Sequence, residues 1–160
     1  MDKKKILLII FFVLLVISLS AQNVEFNKKN FSDSQGLNEA MKNVRNGDAA
    51  FTKSSRISYM KALESYLKAN EFNPNNAMLN FKIGVCYLNS CNKAASLDYF
   101  LKAKSLNPKI DPKINYGIAQ AYQHNLKFDE AISSYKEYLN NDVYPKDKAV
   151  NTTLVEKKIS

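Results

Sequence analysis

Apolar residues recur at helical spacing over most of the chain, in pairs of short segments that polar breaks separate. In the best-defined segment Leu97, Phe100 and Leu101 stand at positions i, i+3 and i+4, which places them on one face of a helix. An Asn-Pro pair follows each of two segments, and the prolines, Pro74 and Pro108, lie 34 residues apart. Two short helices recurring at this period predict a solenoid in which each helical pair packs on the next.

Three such units and a closing helix account for most of the chain. The units span residues 36–74, 75–108 and 111–145, and a charged capping helix spans residues 146–159. The second helix of the first unit arrives three residues late relative to Gly47, so we expect a longer turn before it. A stack of repeats requires a terminal unit with a polar outer face. The pattern therefore predicts an all-α fold, a right-handed superhelical solenoid of three helix–turn–helix repeats plus the C-terminal capping helix.

The second unit resembles the tetratricopeptide repeat (TPR). Five positions match that repeat in residue type, namely Ile83, Gly84, Tyr87, Phe100 and Pro108. Two positions depart from it, because Asn80 replaces the usual Trp and Ser96 the usual Ala. The third unit repeats these residue types 35 positions later, at Ile118, Ala119, Tyr122, Ala131 and Tyr135. We expect the two helices of the second unit to touch backbone to backbone at Gly84.

A narrower resemblance lies in two strings, Ala-Asn-Glu-Phe-Asn-Pro-Asn-Asn-Ala at 69–77 and Lys-Ile-Gly-Val-Cys-Tyr-Leu at 82–88. They are similar to the N-terminal repeat module of exported envelope proteins in Gram-negative bacteria. In those proteins a β-propeller-like region and an OmpA-like peptidoglycan-binding domain follow the repeats. The chain ends at Ser160, and we expect neither domain in it. Two hypotheses stay open: an independent binding module, or a truncated N-terminal module of a larger OmpA-type envelope protein with no activity of its own.

Residues 1–21 have the pattern of an export signal. Lys3–Lys5 precede a run of 12 apolar residues at 6–17, and small residues follow at 18–21. The apolar run is shorter than the roughly 20 residues that a membrane-spanning helix needs. We therefore expect cleavage, with an uncleaved membrane anchor as the alternative. The predicted location is outside the cytoplasm, in the periplasm or in association with the outer membrane.

Residues 22–35 form a polar stretch that carries two isolated aromatic side chains, Phe26 and Phe31. We expect an extended leader whose rings dock somewhere on the repeats. Either the leader is an internal lid over the binding surface, or that surface is open for a partner. Ser34 is the expected N-cap of the first helix, and Asp111, followed by a proline, that of the third unit.

The TPR resemblance implies a concave groove lined by the first helix of each unit. Its predicted partner-binding residues are Phe51, Met78, Phe81, Val85, Leu88, Tyr116, Gln120 and His124. Chaperone-binding members of the family use Lys, Asn and Arg at this face to hold a terminal carboxylate, whereas the middle unit has Phe81 and Val85 there. The resemblance therefore implies a protein-binding scaffold whose partner is another envelope or secreted protein, with association to the outer membrane or cell wall through that partner.

The residues that carry chemistry are few. His124 is the only histidine, and no His, Cys and carboxylate spacing typical of a metal site occurs in the chain. A nucleophile–base pair would need the fold to bring a Ser or Cys to this histidine, and nothing local indicates it. We expect a non-enzymatic protein with no catalytic residues, no metal, no cofactor and no small-molecule substrate.

Two further features need an interpretation. Cys86 and Cys91 either form a disulfide, which requires a helix end near Leu88, or are two small buried thiols, which we favour. The net charge of +8 is spread as single Lys residues over helix faces. A nucleic-acid-binding protein would concentrate Lys and Arg among stacking aromatic residues and would not carry an export signal, so we expect no nucleic acid as partner.

Overall fold

The computed structural model describes residues 22–140, and within them it contains six α-helices, one short 3₁₀ helix and no β-strand. The elements are α1 (Ser34–Phe51), α2 (Arg56–Phe72), α3 (Ala77–Leu88), the 3₁₀ helix (Lys93–Ala95), α4 (Ser96–Leu106), α5 (Ile114–His124) and α6 (Phe128–Leu139). The predicted export signal at 1–21 lies outside the described residues. So do the end of the third unit, 141–145, and the predicted capping helix at 146–159.

The six helices pack as three consecutive pairs. The helix α1 packs on α2, α3 on α4 and α5 on α6, and neighbouring pairs meet where α2 contacts α3 and α4 contacts α5. The first helices of the second and third pairs, α3 and α5, also touch each other. The predicted all-α class and the helical solenoid are therefore confirmed.

Side-chain caps set where the first two helices begin. Asp33 caps α1 in place of the expected Ser34, because its carboxylate Oδ1 accepts from the backbone N–H groups of both Gln35 and Gly36 at 3.0 Å. The helix α2 begins early, at a capping box in which Ser55 and Ser58 satisfy each other's backbone N–H groups. The three extra residues of the first unit therefore lengthen α2, which has 17 residues, whereas the 3₁₀ helix (3 residues) and α4 (11 residues) form a continuous segment of 14. The prediction of a longer turn before α2 is wrong.

The third pair begins later than predicted. The carboxylate of Asp111 accepts from the backbone N–H of Lys113 at 2.7 Å, which closes a turn rather than starting a helix. Lys113 occupies the N-cap position of α5 and makes no side-chain capping bond. This turn takes up the residue inserted between the second and third units.

Each pair buries one large ring from its second helix: Tyr66, Phe100 and Tyr135 are at most 1% exposed. A Cβ atom added to Gly84 would lie 2.7 Å from the ring of Phe100. The small residue of α3 therefore makes room for a side chain of α4, and the expectation of backbone-to-backbone contact at Gly84 is wrong. The ring fills the space between the two helices because an apolar core packs to near-crystalline density.

The two residues that depart from the TPR pattern are held by hydrogen bonds. Asn80 is fully buried, and its Nδ2 donates to the carbonyl oxygens of Pro74 at 3.0 Å and Asn76 at 2.8 Å. Ser96, also fully buried, donates from its Oγ to the carbonyl of Lys93 at 2.6 Å. Asn80 therefore ties the α2–α3 turn to α3 with polar contacts where the usual Trp would fill space.

Cys86 and Cys91 are both free thiols. Cys86 is buried, and burial raises its pKa to about 12 although Lys82 acts in the opposite direction. Cys91 is exposed in the turn after α3, so the expectation of two buried thiols is wrong for this residue. Its Sγ lies 2.8 Å from a guanidinium nitrogen of Arg56, which links the start of α2 to that turn.

Candidate functional site

The eight predicted partner-binding residues lie on α1, α3 and α5, in three different packing environments. Phe51 ends α1 and packs edge-on against Tyr59, with 5.4 Å between ring centroids, and lies 6.2 Å from the ring of Tyr66. It is partly buried against the core that α2 and α3 share. Its ring therefore serves mainly to hold α1 on α2.

Four of the residues form one stripe along α3. We call Met78, Phe81, Val85 and Leu88 the α3 stripe. Phe81, Val85 and Leu88 are partly buried against the core shared by the second and third pairs, and the ring of Phe81 lies 5.9 Å from that of Phe100. Met78 is 40% exposed. The stripe therefore combines apolar side chains anchored at their base with solvent access at the N-terminal end of α3.

The remaining three residues lie on α5. The ring of Tyr116 packs against Tyr135 at 5.6 Å and Tyr138 at 5.3 Å, and burial raises its pKa. Gln120 is half-buried on α5, and His124, its last residue, is exposed. Tyr116 belongs to the core of the third pair, so the α3 stripe is the compact apolar part of the predicted surface.

A polar cluster that the sequence analysis did not identify joins the first three helices. Asp48 of α1 accepts from the hydroxyl of Tyr66 and from Nζ of Lys82, both at 2.6 Å to Oδ1. Burial, followed by the hydrogen bond to Asp48, raises the pKa of Tyr66. The contact between Asp48 and Lys82 fixes α1 beside α3, and 34 residues separate the two in sequence. That separation equals the length of one repeat. This spacing is the feature of the sequence from which the ion pair could have been predicted.

The leader docks on the turn between α2 and α3. The backbone N–H of Val24 donates to the carbonyl of Asn75 at 2.8 Å. The carbonyl of Val24 accepts from Nδ2 of Asn73 at 2.8 Å and from Nδ2 of Asn76 at 3.0 Å. Both backbone groups of Val24, its N–H and its C=O, therefore find their hydrogen-bond partners in this turn.

The two leader rings dock beside the same turn. Phe31 lies 4.8 Å from the ring of Phe72, the last residue of α2, and 6.5 Å from Phe26. Phe26 is partly buried against the core that α2 and α3 share. Phe31 therefore docks at the end of α2, where polar partners for the leader backbone are also present. The hypothesis that the leader is a lid over the binding surface stays a prediction.

Within residues 22–140 no three His, Cys, Asp or Glu side chains converge as a metal site would require. None of the helices described there is long and apolar enough to cross a membrane.

The fold resembles a solved TPR domain. The Arabidopsis OM64 TPR domain superposes with a TM-score of 0.60 at 18% sequence identity, over 76% of this chain and 98% of that one. No protein family and no curated protein matches the sequence. The described part of the chain therefore has a TPR-like helical fold, and this likeness concerns the fold alone.

Proposed function

We propose that the protein is a non-enzymatic interaction scaffold of the bacterial envelope that holds a segment of a partner protein on its first-helix face. The observation that carries the proposal is the α3 stripe, an apolar row on the first helix of the central pair. Its end is solvent-accessible, since Met78 is 40% exposed. A contiguous exposed apolar patch typically marks a protein-binding surface, and among the eight predicted residues the α3 stripe comes nearest to one.

The surroundings of the stripe favour a peptide or helix as ligand. Asp48 and Lys82 form an ion pair beside the α3 stripe, so neither of these two charges is unpaired next to it. An amphipathic helix that binds in a groove uses apolar residues at i, i+3 or i+4 and i+7, and Met78, Phe81, Val85 and Leu88 offer a row of comparable spacing. Gln120 and His124 on α5 would supply polar contacts at the side of such a segment.

The proposed place of action is outside the cytoplasm. The support is the sequence pattern at 1–21, with its basic head, apolar run and small residues. The partner would be another envelope or secreted protein, and it would connect the scaffold to the outer membrane or cell wall. A second proposal, that the chain is the N-terminal module of a larger OmpA-type protein, rests on the strings at 69–77 and 82–88. Reading the source genome beyond the codon for Ser160 tests it.

A pair of matched variants tests the scaffold proposal. Met78→Glu introduces a charge on the α3 stripe, and Leu101→Glu introduces the same charge on α4, where Leu101 is 38% exposed against 40% for Met78. With the protein as bait in an envelope extract, we expect the first variant to lose a partner that the parent and the second variant capture. Equal capture by both variants would show that the first-helix face is not the binding surface.

A further inference from the structure

The turn that receives the leader is a built binding site. Two of its asparagine side chains are almost fully buried, with Asn73 2% and Asn76 4% exposed. Both amides donate to the carbonyl of Val24, and the carbonyl of Asn75 accepts from the N–H of the same residue. The turn therefore supplies donors and an acceptor to one extended residue, as a neighbouring β-strand would.

The start of α3 supplies one more donor. Ala77 is the first residue of the helix, where a backbone N–H has no partner within the helix. The side-chain Oδ1 of Asn23 accepts from this N–H at 2.8 Å. A residue with a short side-chain carbonyl is therefore recognised immediately before Val24.

Asn76 has two functions that its two amide atoms separate. Its Oδ1 accepts from the backbone N–H of Leu79 at 2.9 Å, which caps α3. Its Nδ2 donates to the carbonyl of Val24 and lies 3.3 Å from a carboxylate oxygen of Glu25. The acceptor Oδ1 caps the helix and the donor Nδ2 holds the leader. A substitution that keeps the acceptor but removes the donor therefore abolishes leader binding without uncapping α3.

The α4–α5 turn shows what makes the leader's turn selective. Asn107 accepts from the N–H of Lys109 at 3.0 Å, as Asn73 accepts from Asn75 at 3.2 Å. At this second turn the N-cap and the first helical residue are Lys113 and Ile114, in the places that Asn76 and Ala77 take at the first. Lys113 has no side-chain amide, and the backbone N–H of Ile114 already donates to the carbonyl of Asp111 at 3.0 Å, so the donors that Asn76 and Ala77 give the leader have no counterpart there.

We propose that the α2–α3 turn is a second peptide-binding site, separate from the α3 stripe, which recognises an extended segment of the type Asn–any residue–acidic–aromatic. Its resident occupant is the leader, with Asn23, Val24, Glu25 and Phe26 in those four places. The same segment binds there when it is supplied as a free peptide and the leader has been released. A partner protein that carries such a segment would exchange with the leader at this turn.

The test uses the whole chain, kept in mild detergent because of its apolar first segment, and a fluorescent peptide with the sequence of residues 22–31. In the parent the tethered leader competes at an effective concentration on the order of millimolar. The variant Asn23→Ala with Val24→Pro releases the leader, because it removes the acceptor for Ala77 and the donor for Asn75. We expect fluorescence anisotropy to show at least tenfold tighter peptide binding to the released variant than to the parent.

Two further substitutions in the released variant test recognition by the turn. Asn76→Asp and Ala77→Pro each remove a donor to the peptide, and both keep the start of α3, since Asp is a good N-cap and Pro is favoured at the first helical position. Each should weaken peptide binding at least tenfold with an unchanged circular dichroism spectrum. Val24→Pro alone is the milder release if the double variant does not fold.

The outcomes separate this proposal from the scaffold proposal. No peptide binding to a folded, released variant overturns it, and so does binding that Asn76→Asp and Ala77→Pro leave unchanged. Met78→Glu changes the α3 stripe and should not alter peptide binding at the turn. Loss of partner capture by that variant with normal peptide binding would therefore support both surfaces independently.

Discussion

Replacing Gly84 by Leu should disrupt the packing of α3 on α4 within the second pair, and with it the contact of α4 with α5. The ring of Phe100 occupies the space beside Gly84, and a Cβ atom there would lie 2.7 Å from it. The ring cannot move toward α5, because it already packs against Gly117. The contact there is so close that a Cβ atom added to Gly117 would lie 3.0 Å from the ring. Phe100 is 1% exposed, so no solvent-filled space is open to it either. A bulky residue at position 84 must therefore displace the ring.

The size of the effect follows from what the ring loses. Carbon atoms at optimal contact lie about 3.5–4.0 Å apart, so a methyl group alone requires a shift of roughly 1 Å. Gly84→Ala should cost about 1 kcal/mol, since overpacking of about 1–3 kcal/mol is offset by about 1 kcal/mol of helix propensity. Gly84→Leu expels the ring, and the loss approaches the ~3–5 kcal/mol that removal of a buried Phe side chain costs.

Urea denaturation followed by circular dichroism at the helix minimum measures both changes in the free energy of unfolding. Gly117→Ala is the internal control, because its Cβ atom would meet the same ring at 3.0–3.2 Å and the helix-propensity gain offsets that milder contact. We expect the order parent, Gly117→Ala, Gly84→Ala and Gly84→Leu, from most to least stable, with the first two close together. A Gly84→Leu variant whose free energy of unfolding lies within about 0.5 kcal/mol of the parent's would refute the packing described for Phe100.

Four further predictions concern separate parts of the chain. Deleting residues 22–31 should lower the free energy of unfolding by ~2–4 kcal/mol, from two half-buried rings and their neighbouring hydrogen bonds, and urea denaturation measures it; unchanged stability would mean that the leader is not docked in solution. At pH 8 a thiol reagent should modify exposed Cys91 rapidly and Cys86, whose pKa burial raises to about 12, only after unfolding; two equal rates would contradict this. Burial, followed by the hydrogen bond to Asp48, raises the pKa of Tyr66, so the folded state holds the phenol proton more tightly than the unfolded state does. The resulting contribution of Tyr66 to stability is complete below pH ~10, the pKa of a free tyrosine, and declines above it. A melting temperature that stays constant as the pH rises above ~10 would contradict this. Intact-mass measurement of the protein from envelopes should show loss of residues 1–21, and retention would indicate a membrane anchor.

The helical pairs could be predicted from the sequence because their information is periodic. Residues with one structural task recur at a fixed spacing, as Phe100 and Tyr135 do at 35 residues, and such spacing is visible without knowledge of contacts. Helix starts were less predictable. Asp33 and Ser34 are both good N-caps, and Asp111 offers the same carboxylate as Asp33 but closes a turn. Local capping rules do not distinguish these cases, since the surrounding packing decides which turn continues as a helix.

The candidate surface was predicted only in part, for a physical reason. Position on a first helix places a residue near the predicted groove, but it does not say how deeply the side chain inserts between helices. Phe51 and Tyr116 pack into the cores of their own pairs, whereas Met78 reaches solvent. The ion pair between Asp48 and Lys82 depends on contact across the stack, for which the sequence offers a spacing but no local pattern.

The two junctions between the pairs each combine an apolar core with polar contacts. At the first junction α2 and α3 share one buried apolar cluster around Tyr66, and Asp48 of α1 pairs with Lys82 of α3. At the second junction the ring of Phe100 packs against glycines of two successive first helices, and Lys104 of α4 pairs with Glu137 of α6 at 2.7 Å. Apolar burial supplies most of the stability of such contacts, whereas the directional polar contacts fix their geometry. A segment bound on the α3 stripe would touch Phe81, whose ring lies 5.9 Å from that of Phe100, so binding there would bear on the core of the second junction.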